Sequence, residues 1–179
     1  GPFGGFRLVP GLRFDLYSLP ARGIPSVEPR VAARWELGAD TIKAAWGLFR
    51  QNPEAFQLDE VFGNPQLDLP QSSQTVVGWE RRITEKLSLD AQAFYNVRTK
   101  LIADADDPAT PEDEGIGNVG RGRAYGLEVL LKHDLTQRMY GWVAYTISRS
   151  EEWDRERAGW FPVDSDQTHL MTVVWSYKL

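Results

Sequence analysis

The chain lacks cysteine altogether, which removes disulfides, thiolate metal sites and a cysteine nucleophile and leaves the redox compartment open. Histidine is almost as scarce. His133 and His169 are the only two, and they fall at opposite ends of the pattern described below, so a paired-histidine metal centre is excluded. No stretch approaches the roughly 18 to 20 apolar residues of a membrane helix. An excess of basic charge is also missing: 20 Lys and Arg stand against 25 Asp and Glu, for a net charge of −5, so no nucleic-acid footprint is expected. With 42% apolar and 25% charged residues, the chain is too apolar for a disordered segment. What it has in quantity is turn formers and aromatics, with 16 Gly, 11 Pro and seven Trp among 179 residues. That composition favours many strands over a helix bundle. No leader is legible, and Gly1-Pro2 reads as a protease scar on a mature or truncated chain.

The dominant pattern has period two. Between residues 87 and 101, Leu87, Leu89, Ala91, Ala93, Tyr95 and Val97 alternate with Ser88, Asp90, Gln92, Asn96, Arg98 and Lys100. The same alternation sets Tyr125, Leu127, Val129 and Leu131 against Gly126, Glu128 and Lys132, and Met171, Val173, Trp175 and Tyr177 against Thr172, Ser176 and Lys178. Earlier runs set Trp35 and Leu37 against Arg34 and Glu36, and Ile42, Ala44 and Trp46 against Lys43. With less regular runs near 6–17, 74–83 and 138–150, where Pro10, Arg81 and Trp142 break the pattern, about eight strands are predicted.

The connections alternate in length. Tight turns are expected at 38–40, 84–86 and 134–137, and long polar loops at 18–29, 52–73, 105–116 and 151–166, with a turn of helix inside 53–62. The fold class is therefore all-β, an antiparallel up-and-down meander, forming part of a transmembrane β-barrel or closing as one. Strand lengths of about nine to fifteen residues suit a tilted crossing of the hydrocarbon. Trp35, Trp46, Trp79 and Trp175 all fall on the apolar face, where aromatic girdles belong. A complete eight-stranded barrel is the alternative, either an outer-membrane structural or adhesive protein or a soluble ligand carrier with its faces reversed.

Seven segments in order, "PSVEPRVAARWEL", "IKAAWGLFRQNP", "GNPQLDLPQSSQTVVGWERRI", "LSLDAQAFYNVRTKLI", "NVGRGRAYGLEVLLK", "WVAYTISRS" and "DQTHLMTVVWSYKL", carry a Trp-Gly-x-Phe strand, an Asn-Pro-x-Leu loop, an Asn-x-Gly…Gly-x-Glu strand and an Asp-Gln-x-His strand opening. Together they resemble the mid-to-late barrel of TonB-dependent outer-membrane receptors. The resemblance implies a 22-stranded barrel closed by a plug, in the outer membrane of a Gram-negative bacterium. Its implied role is uptake of a scarce ligand, of the iron-chelate, cobalamin or carbohydrate class. Residues 1–179 are then a single barrel segment with no separate plug domain. The implied partners are outer-membrane lipid, the rest of the barrel and its plug, with TonB reached only through segments absent here. Closing strands are also expected to be absent, and the end at Tyr177-Lys178-Leu179 departs from the aromatic ending usual in the family.

Candidate site residues follow from the faces and loops. Glu36, Lys43, Glu80, Arg82, Asp90, Arg98, Lys100, Glu128 and Lys132 are expected to face the lumen, either docking a plug or filling the barrel with ion pairs. Gly126 beside Glu128 marks a close backbone approach. Phe56, Phe62, Trp153, Trp160 and Phe161 are the loop aromatics that could meet a ligand. No catalytic, cofactor or metal residue is assigned. The acidic run 103–107 with 112–114 fails the calcium-loop template, because Pro108 and Thr110 occupy ligand positions. Gly115-x-Gly117-x-x-Gly120 precedes a strand rather than opening a helix, so it is not a dinucleotide fingerprint. A hydrolase would draw on Asp164, Asp166 and His169 with Ser148, Ser150 or Ser165, but a lone His beside Asp at a strand start reads as structural. The chain is not expected to be an enzyme.

Overall fold

A computed structural model describes residues 5–105, 115–155 and 157–178. Nine strands form one antiparallel sheet: β1 (Phe6–Ser18), β2 (Gly23–Leu37), β3 (Asp40–Arg50), β4 (Gln71–Arg82), β5 (Leu87–Asp104), β6 (Ile116–His133), β7 (Met139–Asp154), β8 (Gly159–Pro162) and β9 (His169–Tyr177). Each strand through β8 pairs with its sequence neighbour, and β9 joins β7 as well. The lower half of β7, from Met139 to Ile147, carries β9, while Glu151–Asp154 carries β8. The last two strands therefore share one place in the ladder, which reconciles nine strands with the eight expected. The only helical element among the described residues is a single 3-10 turn at Ala55–Leu58, inside the predicted window.

Two predicted loops are shorter than expected. β2 already begins at Gly23, so the connection expected over 18–29 shrinks to residues 19–22. Pro25 and Pro29 suggested a loop, yet both pair with β1, opposite Leu16 and Leu12. The β2–β3 ladder starts only at Arg30, so at both prolines β2 has a free side toward which a missing N–H costs nothing. Likewise most of 151–166 is hairpin, because β7 runs to Asp154 and folds back as β8. The acidic stretch 106–114 lies outside the described residues.

The register sorts the faces. One rung runs Trp35, Ile42, Trp79, Ala91, Val129, Tyr145, Met171, and another runs Val31, Trp46, Thr75, Tyr95, Tyr125. This apolar face is open, with Leu8, Trp35, Trp46, Val77, Tyr95, Leu127, Val173 and Trp175 all exposed. An exposed apolar surface of this extent is not that of a soluble monomer. Its indoles find partners at the edges of the band: Trp79 Nε1 donates to Asp40 (2.9 Å) and Trp46 Nε1 to Ser73 Oγ (3.0 Å). Arg81, which broke the alternation, stands on this face at the short-turn end and pairs with Asp40 at 3.3 Å. Trp142 stands on the opposite face, opposite Lys132 and Val174. The sheet does not close on itself, since among the described residues β1 pairs only with β2, and β8 and β9 only with β7.

Candidate functional site

The polar face carries a chain of charge that crosses five strands. Arg34 on β2 reaches Glu36 (3.1 Å) and, two strands away, Glu80 on β4 (3.2 Å). Lys43 on β3 lies 3.7 Å from Glu80 and pairs with Asp90 on β5. Gln92 then donates to Glu128 on β6 (2.5 Å). These side chains are partly exposed, Glu36 most of all at 52%, so each pair contributes little alone, and the value of the arrangement is a fixed, solvated pattern of both signs. Of the predicted polar-face residues, Glu36, Lys43, Glu80, Asp90 and Glu128 join this group. Arg98 lies higher, near Ser150 (3.3 Å) and Glu152 (3.7 Å). Lys132 bonds Asp134 (2.7 Å) at the short-turn end, where the ammonium holds the Asp134 carboxyl below the usual carboxylate range. Arg82 stands on the same face, in the rung of Ser88 and Lys132.

Above the charged tier the face turns apolar and shallow. Val9, Ala32, Ala45, Val76 and Phe94 border a hollow of about 610 Å³, and the side chains of Arg30 and Phe49 lie over Gly11 and Gly47 at its edge. Gly126 belongs to the same rung as Phe94, and a Cβ there would sit 2.5 Å from the Ile147 carbonyl and 2.9 Å from the Phe94 ring. The close approach expected at Gly126 is thus a fact of packing.

At the loop end, residues 51–70 cross the polar face as a strap. Leu58, Leu67 and Leu69 turn inward and bury with Leu19 against Tyr17, Ile24, Ile102 and Ile116. This small core is the only cluster of buried apolar side chains among the described residues, and it is absent from the sheet proper, as expected when the sheet's apolar side faces outward. Asn64 bridges within the strap to Gln66 N (2.9 Å) and outward to the Ile116 carbonyl (3.0 Å). Asn118 holds Asp68 and also donates to the Lys100 carbonyl (2.9 Å). Lys100 sits in a β-bulge with a left-handed backbone (φ 56°), and its ammonium pairs with Asp68. That contact, with the Leu69 amide, holds the Asp68 carboxyl below its ordinary range. Beneath the strap Glu28 is buried, accepting from the Arg50 amide (2.9 Å), with Ser26 accepting from the Arg50 guanidinium (3.1 Å). Asn64, Leu67 and Asn118, which carried two of the sequence motifs, thus meet as one clasp. Sequence reasoning had not singled out Glu28, Arg50 or Asp68; a buried carboxylate is invisible to alternation.

The loop aromatics split. Phe56 and Phe62 project from the strap into solvent, the latter 90% exposed. Trp153 and Trp160 meet edge to face at 5.5 Å. They lie on the apolar face and so leave the expected loop set, because their stretch is paired strand. Phe161, opposite Glu152, is on the polar side under Arg157 (5.1 Å). The hydrolase arrangement is not formed: His169 Nδ1 bonds Tyr145 (2.8 Å) on the apolar face, whereas Ser148 and Ser150 stand on the other, and Asp166 accepts from the Ser150 amide (2.7 Å). Among the described residues no group of His, Asp and Glu has the placement of a metal site.

Residues 2–173 match the model of the TonB dependent receptor-like β-barrel. The chain belongs to that family. It is a family of receptors and transporters rather than enzymes. Among solved structures, the FrpB iron transporter of Neisseria meningitidis superposes with a TM-score of 0.61 at 14% identity, covering 84% of this chain and 24% of that one. The copper transporter OprC gives a TM-score of 0.59 at 15% identity, covering 82% of this chain and 26% of that one. At such identities the likeness is one of fold, and this TonB-dependent receptor segment spans about a quarter of either neighbour. No curated protein matches it.

Proposed function

We propose that this chain is a wall segment of a TonB-dependent transporter in the outer membrane of a Gram-negative bacterium, taking up a scarce ligand of the iron-chelate, cobalamin or carbohydrate class. The observation that carries the reading is the family match over 2–173 on a sheet with one exposed apolar face and one charged face. In it the apolar face meets lipid, and the face bearing Glu36, Lys43, Glu80, Arg82, Asp90, Arg98, Lys100, Glu128 and Lys132 lines the lumen. The charged tier and the hollow above it are the wall a plug rests on, and mixed signs at fixed positions suit a surface from which a plug must also part. The strap lies at the outer mouth, where Phe56 and Phe62 on the strap and Phe161 on β8 are the ligand-side aromatics. The two open sheet edges favour a larger barrel over a stand-alone eight-stranded one, because unpaired edges in lipid leave backbone groups unsatisfied.

The test is uptake by cells in which the full-length protein is present, deleted, or carries Phe56→Ala and Phe62→Ala. A panel of ferric chelates, cobalamin and oligosaccharides is supplied with and without an energised inner membrane. Energy-dependent uptake of one class, lost on deletion and weakened about tenfold by the double variant, is expected. Uptake unchanged by deletion for every class would end this reading. The 179-residue chain alone in vesicles should accumulate nothing.

A further inference from the structure

One rung of the polar face carries no polar side chain over six strands. Val9, Ala32, Ala45, Val76, Phe94 and Gly126 follow one another in register from β1 to β6. Its members through Phe94 floor the hollow of about 610 Å³, with Gln74 and Asn96 in the rung above and Gln92 and Glu128 in the rung below. At about 3.4 Å per residue, each polar rung stands about 7 Å from the apolar one, so a ring-sized molecule lying on the floor comes within reach of both.

Two aromatic rings bound the hollow, and glycines decide how they lie. A Cβ on Gly47 would meet the Phe49 ring at 2.8 Å, and one on Gly126 would meet the Phe94 ring at 2.9 Å. Each ring rests over the backbone of a glycine, in space that any other residue would fill, and both line the hollow. Arg30 lies in the same way over Gly11, at 2.8 Å, and its guanidinium stands 5.2 Å from the Phe49 ring centroid.

The hollow is balanced in charge. Arg30 and Glu128 are its only charged lining residues, one of each sign. Glu128 accepts from Gln92 (2.5 Å), and Arg30 lies 3.6 Å from Glu28, so both already have a partner. The amides are less engaged: Asn96 has no side-chain partner among the described residues, and Gln74 reaches only Ser72, at 3.4 Å. A planar amide sets a donor beside an acceptor, the pair that neighbouring hydroxyls on a ring can match. An apolar floor with two aromatic rings suits the C–H face of a sugar, and a few convergent amides suit its rim. An anionic chelate finds no net positive charge here, and a purely apolar ligand would leave the amides unsatisfied.

We propose that the hollow is a subsite for one uncharged sugar ring of an oligosaccharide passing the wall, stacked on Phe94 and Phe49, with Asn96, Gln74 and Gln92 bonding its hydroxyls. This rests on the transporter reading and narrows the ligand to the carbohydrate class. The plug rests on this wall until it parts, so the subsite serves passage and not capture at the outer mouth.

The experiment follows labelled linear trisaccharides of glucose, xylose and galactose, with a ferric trihydroxamate and cobalamin beside them, in cells that make the full-length protein. Binding to cells with a de-energised inner membrane reports capture, and entry into energised cells reports passage. Entry of at least one trisaccharide should fall about fivefold in Asn96→Ala and about tenfold in Phe94→Leu, with capture unchanged. Phe94→Tyr should keep most of the wild-type rate. Because the Phe94 ring also covers Gly126, folded, heat-modifiable protein is measured for each variant. Asn96→Ala combined with Gln74→Ala, which removes neither ring, carries the test if Phe94→Leu does not fold. Protein-dependent entry of the chelate or cobalamin, but of no trisaccharide, overturns the subsite and leaves the transporter reading intact. Trisaccharide entry that is unchanged in every variant overturns it too, as does an equal fall in capture and entry, which would place these residues in the outer site. Leak of sugar and chelate alike into de-energised cells of the variants would make the hollow a seat for the plug and overturns the sugar assignment. Absence of protein-dependent entry for every class overturns the transporter reading and the subsite with it.

Discussion

Asn118 grips Asp68 from both sides of one peptide group's reach: its side-chain oxygen accepts from the Asp68 amide (2.6 Å) and its side-chain nitrogen donates to the Asp68 carbonyl (2.9 Å). An amide side chain that satisfies both backbone groups of a distant residue acts as an added rung of sheet. Asn118→Ala should therefore release the strap, costing about 1 kcal/mol per bond lost. Hydrogen exchange should rise at residues 64–69, with protection of β4 to β6 unchanged.

Acid should have the same local effect. The Asp68 carboxyl is held below its unfolded value mainly by the Lys100 ammonium. A carboxyl with a depressed folded pKa contributes stability that is complete above the unfolded pKa, near 3.9, and is lost as pH falls through the folded value. Protease cleavage within the strap, flat from pH 7 to 5, should climb below about pH 4. Asp68→Asn should abolish that climb and cleave faster at neutral pH.

Gly126→Val should impair folding outright. The Cβ position lies 2.5 Å from the Ile147 carbonyl and 2.8 Å from Ser148 Cβ, so backbone must move. A cost of about 1–3 kcal/mol or more is expected, read as a lowered yield of folded, heat-modifiable protein. Phe94→Ala in the same background should not rescue it, because the backbone contact remains.

Charge should be tolerated on one face only. Leu127→Arg places a guanidinium in the apolar band and should cost about 2–4 kcal/mol at the midplane. Thr146→Arg lies opposite Glu128 on the polar face and should be nearly neutral. Urea unfolding of the full-length protein in vesicles would separate them; equal costs would mean that both faces see the same environment.

Much of the sheet was legible because its faces meet different solvents, so β3, β5, β6, β9 and the second half of β2 write their register into alternate letters, and β1, β4 and β7 do so less regularly. Legibility failed where neighbours, not solvent, set the conformation. Pro25 and Pro29 read as loop because a strand's tolerance for proline depends on which side is paired, and that depends on where β3 begins. The bulge between Arg98 and Leu101 is equally silent, since a single inserted residue looks like ordinary alternation until Lys100 is seen in the left-handed region. Trp153 and Trp160 read as loop residues because charged neighbours mask a strand that continues past the apolar band.

The strap also sets an order of events. Every strand pair from β1 to β8 joins sequence neighbours, so the ladder can zip forward hairpin by hairpin, closing short stretches of chain at most steps and residues 51–70 between β3 and β4. The clasp obeys a different clock. Asn64 meets Ile116 across 52 residues and Asp68 meets Asn118 across 50. Neither contact exists until β5 has been laid down and β6 has returned, so the strap is fastened across the loop end only after the strands beneath it are standing.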